Sequence, residues 1–91
     1  MIPKDLSIDN INKIYKKISP FINKTPFIKC LDDIDEYFST NLFFKCEFLQ
    51  KSGSFKARGA VNNIISQDQN KFSKGITAVS AGNHAIAASF V

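Results

Sequence analysis

Apolar residues recur at helical spacing near the start of the chain and predict its first helix. Ser7 stands directly before this apolar face, where its hydroxyl can cap the helix. Ser19 and Pro20 should end the helix, because the residue before a proline avoids the helical region. The residues that form the apolar face are Ile8, Ile11, Ile14, Tyr15 and Ile18.

Short extended and helical segments follow the first helix. Thr25-Pro26 marks a turn into an extended piece at residues 27–30. The acidic stretch at residues 31–38 has the length of a brief helix. Residues 41–47 are mostly bulky and apolar between a polar start and a loop, which predicts a strand.

Two further helices and another strand complete the pattern. Residues 55–66 predict a helix that has small apolar residues on one face and Ser54 as its cap. Residues 75–79 are rich in β-branched side chains and predict a short strand. Residues 80–83 form a tight turn, and a helix of small residues begins at His84. The order of helix, strand, helix, strand and helix is typical of a parallel α/β unit.

The apolar pattern stops inside the last predicted helix. Val91 follows a run of small apolar residues with no glycine and no basic last turn to end the helix. A parallel sheet needs cover on both faces and usually has more strands than this chain provides. We therefore expect residues 1–91 to be the truncated beginning of one α/β, parallel-sheet domain.

The composition excludes several classes of protein. An apolar share of 44% is ordinary for a globular protein and argues against disorder. The net charge of +4 comes from scattered lysines and the single arginine, Arg58, whereas nucleic-acid binding favours a clustered basic face. No stretch approaches the length of a membrane span, and residues 1–5 lack the apolar core of a signal peptide. We therefore expect neither nucleic acid nor a membrane as partner.

The cysteine and histidine content indicates a reducing compartment and offers no metal site. Cys30 and Cys46 do not form a CxxC pair, and His84 is the only histidine, so a structural zinc site lacks ligands. We expect both cysteines to be reduced and partly buried. Together with the missing signal peptide, they favour a cytoplasmic location.

One lysine stands at a position that is unusual for a structural lysine. In residues 51–60, KSGSFKARGA, Lys56 falls in the first turn of the predicted helix, behind a loop that contains glycine. Positive charge is disfavoured at a helix N-terminus, and Schiff-base chemistry requires an unprotonated amine. The alternative is an exposed lysine on an ordinary basic helix, and this stretch taken alone favours that alternative.

A second run, SAGNHA at residues 80–85, lies between the predicted strand and the last helix. Backbone N–H groups at such a turn can bind a carboxylate or phosphate, and open α/β sheets bind ligands at the carboxyl ends of their strands. The alternative is a plain helix cap in which Ser80 or Asn83 satisfies free N–H groups and His84 is incidental. Two such loops would meet at one sheet edge, where an amine beside an anion site suits an amino-acid substrate.

These runs resemble the start of threonine dehydratases and serine racemases. Those enzymes belong to the tryptophan-synthase-β-like class, the fold-type II enzymes that use pyridoxal 5'-phosphate (PLP). The matching runs are NLFFKCE at residues 41–47, QKSGSFKARGA at residues 50–60 and SAGNHA at residues 80–85, in the family's order. KTP at residues 24–26 matches the usual start of the fold, so the resemblance extends from about Asn23 onward.

The resemblance implies a role for each candidate site residue. Lys56 would bind PLP covalently, Phe55 would lie against the pyridine ring, and Asn83 would hydrogen-bond the cofactor's phenolic oxygen. The substrate carboxylate would be held, partly through backbone N–H groups, by Ser80, Gly82, Asn83 and His84.

The activity that the resemblance implies is a threonine or serine dehydratase, an ammonia-lyase of amino-acid metabolism such as isoleucine biosynthesis. L-threonine or L-serine would displace Lys56, which would then remove the Cα proton while PLP accepts the charge. Loss of the β-hydroxyl would give 2-oxobutyrate or pyruvate plus ammonia. Racemases that resemble this sequence carry a serine where Ala81 stands, and alanine cannot transfer a proton. The resemblance therefore favours dehydration over racemisation.

Two features of the family lie outside these 91 residues. The glycine-rich phosphate loop and the residue that faces the pyridine nitrogen come farther along the chain in the family, and the four glycines here form no cluster. We therefore expect an inactive N-terminal segment of an enzyme that is a homo-oligomer when intact. The alternatives are a serine racemase-like enzyme and a non-catalytic remnant that pairs with a full-length subunit.

Overall fold

The computed structural model describes residues 4–91, which fold into short helices and one small sheet. The longest helix has 11 residues, and no helix in this part of the chain has the length and apolar character that a membrane span needs. The α-helices are α1 (Ile8–Ile18), α2 (Asp32–Phe38), α3 (Lys56–Ile65) and α4 (Asn83–Phe90). The strands are β1 (Phe27–Lys29) and β2 (Phe43–Lys45). Single 3-10 turns occupy Lys4–Leu6, Ser19–Phe21, Glu47–Leu49, Lys51–Gly53 and Gln69–Phe72.

α1 confirms the first predicted helix together with its cap. Ser7 is extended, and its Oγ accepts a hydrogen bond from the Asn10 N–H at 3.2 Å. The helix ends at Ile18, and the 3-10 turn that follows contains Pro20 at its start. Local sequence therefore determines both ends of α1.

The hydrophobic core is small and lies mainly between α1 and α3. α3 also packs on α4, and each of these helices buries one alanine completely, Ala57 and Ala87. Small side chains at these positions let the two helices approach closely. The cluster between α1 and α3 consists of buried Ile18, Ile22 and Val61, with partly buried Ile14 and Ile65 packed against it.

The one sheet in residues 4–91 is antiparallel, so the expected parallel arrangement is absent from this part of the chain. β1 pairs with β2, with Phe27 opposite Lys45. Ser39 ends α2 in the left-handed conformation (φ 53°), and Asp35 Oδ1 accepts the Leu42 N–H at 2.8 Å. The left-handed conformation of Ser39 and the hydrogen bond from Leu42 to Asp35 turn the chain, so that β2 runs beside β1 in the opposite direction.

Residues 75–79 form no strand, contrary to the sequence prediction. Gly75 has a φ of 84°, and Val79 is fully exposed. β-branched residues favour a strand only where a neighbouring strand covers them and shares hydrogen bonds. No strand pairs with residues 75–79 in the described part of the chain, which is the physical reason that the prediction was wrong there.

Candidate functional site

The loop before α3 places Lys56 at the N-terminus of the helix. Ser52 and Gly53 have φ of 64° and 75°, and these two left-handed residues turn the chain into α3. Left-handed backbone is routine for glycine and costs energy for serine. α3 begins at Lys56 with Phe55 as N-cap, so the predicted cap at Ser54 was wrong by one residue. Ser54 is buried, and its Oγ reaches only the Lys56 N–H, at 3.4 Å.

Gln50 fixes the other end of this loop. Its side chain is buried, and its Oε1 accepts hydrogen bonds from the N–H groups of Asn23 (2.8 Å) and Lys51 (3.0 Å). Its Nε2 donates to the Asn23 carbonyl at 2.9 Å. The Gln50 carbonyl also accepts the Gly53 N–H at 2.8 Å. A buried amide bonded at both ends holds the loop rigidly against the chain that precedes β1.

An ion pair joins the same loop to α3. Arg58 donates to Glu47 from two nitrogens, Nε to Oε2 and Nη2 to Oε1, both at 2.8 Å. Thr25 donates its hydroxyl to Glu47 Oε1 at 2.5 Å, and Lys45 Nζ donates to the Thr25 carbonyl at 2.7 Å. The Glu47 and Arg58 side chains are only 16% and 26% exposed. Sequence reasoning missed this pair, and the one available signal was a positive side chain in the first turn of a helix, where positive charge is disfavoured.

The pair changes the ionisation of Glu47. The hydrogen bonds from Arg58 are the largest cause that lowers the pKa of Glu47, to about 2. Partial burial opposes this effect, and the Thr25 hydroxyl adds to it. The same hydrogen bonds raise the pKa of Arg58. Glu47 is therefore ionised throughout the physiological range.

Glu47→Gln should make the chain less stable at neutral pH and less sensitive to acid. The folded pKa of about 2 lies below the ordinary 4.5. The stability that Glu47 contributes is therefore complete above pH 4.5 and is lost as the pH falls through 2. We expect the variant's free energy of unfolding to be about 2 kcal/mol lower at pH 7. This difference should shrink to less than half by about pH 3.

Urea unfolding followed by circular dichroism between pH 7 and pH 3 measures this effect. Ile18→Val is the matched control, because it costs about 1 kcal/mol in the core cluster without changing any ionisable group. Its cost should be the same at each pH. A Glu47→Gln cost that is equally independent of pH would contradict the prediction.

The second predicted run forms the start of α4. Gly82 is the N-cap and Asn83 the first helical residue, one position before the expected start at His84. Ser80 Oγ accepts the Gly82 N–H at 3.2 Å, so Ser80 stabilises the turn and no side chain caps the helix. The first N–H groups of a helix have no acceptor within it. This end of α4 can therefore bind an anion.

The two runs lie on elements that pack together, but their candidate site residues are not bonded to each other. α4 contacts both α3 and the turn Lys51–Gly53, and Lys51 Nζ lies 5.6 Å from the centre of the Phe90 ring. Lys56 Nζ lies 5.3 Å from the centre of the exposed Phe55 ring. Within residues 4–91, no hydrogen bond joins Lys56 to residues 80–84.

An open cleft of about 330 Å³ lies between α3, α4 and the chain that joins them. His84 is the one predicted site residue that lines it. Ser80, Gly82 and Asn83 are exposed at the start of α4, outside its lining. The cleft therefore does not unite the predicted site.

Comparisons with known proteins identify the family. Residues 18–91 match the family model described as "Pyridoxal-phosphate dependent enzyme". The chain therefore belongs to this family, whose members bind PLP.

The relatives include both kinds of enzyme that the sequence resembles, serine racemases and threonine dehydratases. The chain is 44% identical to the serine racemase of Dictyostelium discoideum over 85 residues, which cover 93% of this chain and 26% of that protein. It is 42% identical to the catabolic L-threonine dehydratase of Staphylococcus aureus (strain USA300) over 80 residues, covering 88% and 23%. The chain thus spans about a quarter of the length of these curated relatives.

The fold agrees with that of solved enzymes of this family. The structure of maize serine racemase superposes with a TM-score of 0.80 at 43% identity, covering 90% of this chain and 26% of that one. The expected fold-type II class is therefore confirmed, while the parallel strand pairing is not present in residues 4–91.

The described residues fit one part of PLP. They provide an exposed amine at Lys56, an exposed aromatic face at Phe55, and uncapped N–H groups at the start of α4. Lys56 and Phe55 suit the aldehyde and the ring of PLP, and the N–H groups at the start of α4 suit the carboxylate of an amino-acid substrate. It provides no glycine-rich seat for the phosphate, because the four glycines are far apart in the sequence.

The cysteines and acidic residues form no comparable centre. Cys30 is half-buried and Cys46 is buried, and both are free thiols. Within residues 4–91, no three side chains of His, Cys, Asp or Glu are grouped so that they could hold a metal ion.

Proposed function

We propose that this chain is the N-terminal part of a PLP-dependent ammonia-lyase that eliminates water from L-threonine or L-serine. The observation that supports it is the exposed position of Lys56 at the start of α3, beside the Phe55 ring, in a chain of the PLP family. The similarity to a threonine dehydratase supports the substrate class.

Each candidate residue has a task in this proposal. Lys56 would hold the cofactor, and its amine would accept the proton from the substrate Cα. Phe55 would lie against the cofactor ring, and Asn83 would donate a hydrogen bond to the cofactor's phenolic oxygen. PLP, when bound, supplies an electron sink for the charge left at Cα. The substrate carboxylate is oriented by Ser80, Gly82, Asn83 and His84.

Serine racemisation is the second candidate, because serine racemases are among the most similar relatives. Racemisation requires a second proton donor on the opposite face of Cα. The resemblance of the SAGNHA run to the racemases implies a serine in those enzymes at the position of Ala81, and the methyl group of alanine has no proton to give. We therefore favour elimination.

The wider setting is part of the proposal. We infer a cytoplasmic homo-oligomer that acts on a small amino acid, without nucleic acid, membrane or metal. Elimination from L-threonine gives 2-oxobutyrate, which suits a place in isoleucine biosynthesis. Residues 1–91 would form the start of one PLP-binding domain.

Borohydride trapping in a full-length hybrid tests the assignment of Lys56. In this hybrid, residues 1–91 replace the matching quarter of the Dictyostelium discoideum serine racemase. Reduction in the presence of PLP should leave a stable adduct on Lys56, because a reduced imine no longer dissociates. Peptide mapping by mass spectrometry locates the adduct, and Lys51 in the same loop serves as the internal control. An adduct on any other lysine would rule out the assignment.

A further inference from the structure

Glu47 connects three segments of the chain around the start of α3. It accepts two hydrogen bonds from Arg58 on α3 and one from Thr25, which precedes β1. Its own backbone begins the turn Glu47–Leu49, which leads into the loop before Lys56. Thr25 is itself buried and is held by Lys45 through its carbonyl. None of these groups takes part in the proposed chemistry.

The first turn of α3 contains positive side chains and no acidic one, and Glu47 supplies the negative charge from outside the helix. Its first turn carries Lys56 and Arg58, no acidic residue, and no side-chain cap. Cations are disfavoured at a helix N-terminus, where the helix dipole is positive. Glu47 is the carboxylate bonded to this turn, and a two-point contact fixes both the distance and the plane of the guanidinium.

We propose that Glu47 is a positioning residue for Lys56. By holding Arg58, it fixes the first turn of α3 and so the direction in which the Lys56 amine projects. The Arg58 N–H also bonds to the Phe55 carbonyl at 3.1 Å, so the held residue lies inside the turn that carries Lys56. The importance of this positioning for catalysis rests on the proposed function, in which Lys56 holds the cofactor.

The reactivity of Lys56 in the 91-residue chain, without PLP, tests the proposal. An amine-reactive acylating reagent at low occupancy, followed by peptide mass spectrometry, gives the labelling rate of Lys56 relative to Lys51. We expect this ratio to change at least about threefold in Glu47→Gln and in Arg58→Lys. Arg58→Lys keeps the charge and loses the two-point geometry.

Two further variants separate positioning from stability. Asp35→Asn breaks a different ion pair, between Asp35 and Lys29 at 2.9 Å, and should leave the labelling ratio unchanged. Exchanging the partners, Glu47→Arg with Arg58→Glu, should move the ratio back toward that of the unsubstituted chain. Circular dichroism confirms that each variant is folded. The labelling ratio in about 8 M urea, a denaturing concentration, gives the reference value for the unfolded chain.

The outcomes separate the two proposals. A folded Arg58→Lys chain with an unchanged ratio overturns the positioning role, even if PLP is trapped on Lys56 in the hybrid. A ratio that changes in both single variants and not in Asp35→Asn supports it. PLP trapped on another lysine rejects the proposed function instead, whatever the labelling ratio shows.

Discussion

Lys56→Ala should lower the rate of water elimination from L-threonine by at least about 10³-fold in the full-length hybrid. The substitution removes the group that holds the cofactor and the group that accepts the Cα proton. Proton transfer by a positioned side chain alone contributes about 10²–10⁴-fold. Formation of 2-oxobutyrate, measured with a coupled dehydrogenase, gives the rate.

Lys51→Ala is the matched control for this loss. Lys51 lies in the same loop, is exposed, and contacts Phe90 through its ammonium group. Its removal should change the elimination rate only a few-fold, because it has no part in the proposed chemistry. Equal losses in the two variants would mean that the loop's charge matters and that Lys56 is not the cofactor lysine.

The sequence predicted the elements that local interactions determine. α1 has its apolar spacing, its serine cap and its proline stop within a few residues of one another, and it forms as expected. α3 differs from the prediction by about one residue at each end. Its start depends on the left-handed conformation of Ser52 and Gly53. The sequence does not predict this conformation at Ser52, because serine rarely adopts it.

The errors concern interactions between distant residues. Residues 75–79 have the composition of a strand, but a strand exists only where another strand pairs with it, and none does in residues 4–91. The direction of β2 depends on Ser39 and on the Asp35 bond to Leu42, neither of which hydrophobic periodicity reveals. The two site runs were recognisable as motifs, whereas their relative placement depends on the packing of α4 against α3 and the turn Lys51–Gly53.

The Glu47–Arg58 pair shows the same limit at the site itself. The two residues are 11 positions apart, on a turn and on a helix, and only the fold brings them together. The sequence showed a solitary arginine among lysines. It did not show that this arginine would bind a carboxylate in two places beside the candidate cofactor lysine.

Ala81→Ser should increase the racemisation of L-serine by the hybrid at least about 10²-fold. The hybrid takes about three quarters of its length from a racemase, so residues 1–91 with Ala81→Ser would add a hydroxyl at this position within an otherwise racemase-derived chain. Ala81 is exposed between Ser80 and Gly82, and a hydroxyl can be added there without crowding. A positioned acid typically contributes about 10²-fold or more.

Chiral chromatography of D-serine, with pyruvate measured in parallel, separates racemisation from elimination. Ala85→Ser is the matched control, because it makes the same substitution four positions farther on, within α4. It should not increase racemisation, since the proton must come from a donor on one particular face of Cα. If both variants racemise equally, a nearby hydroxyl or solvent suffices as the donor. If Ala81→Ser produces no D-serine above the hybrid's own level, position 81 does not decide between the two activities, and the preference for elimination loses its support.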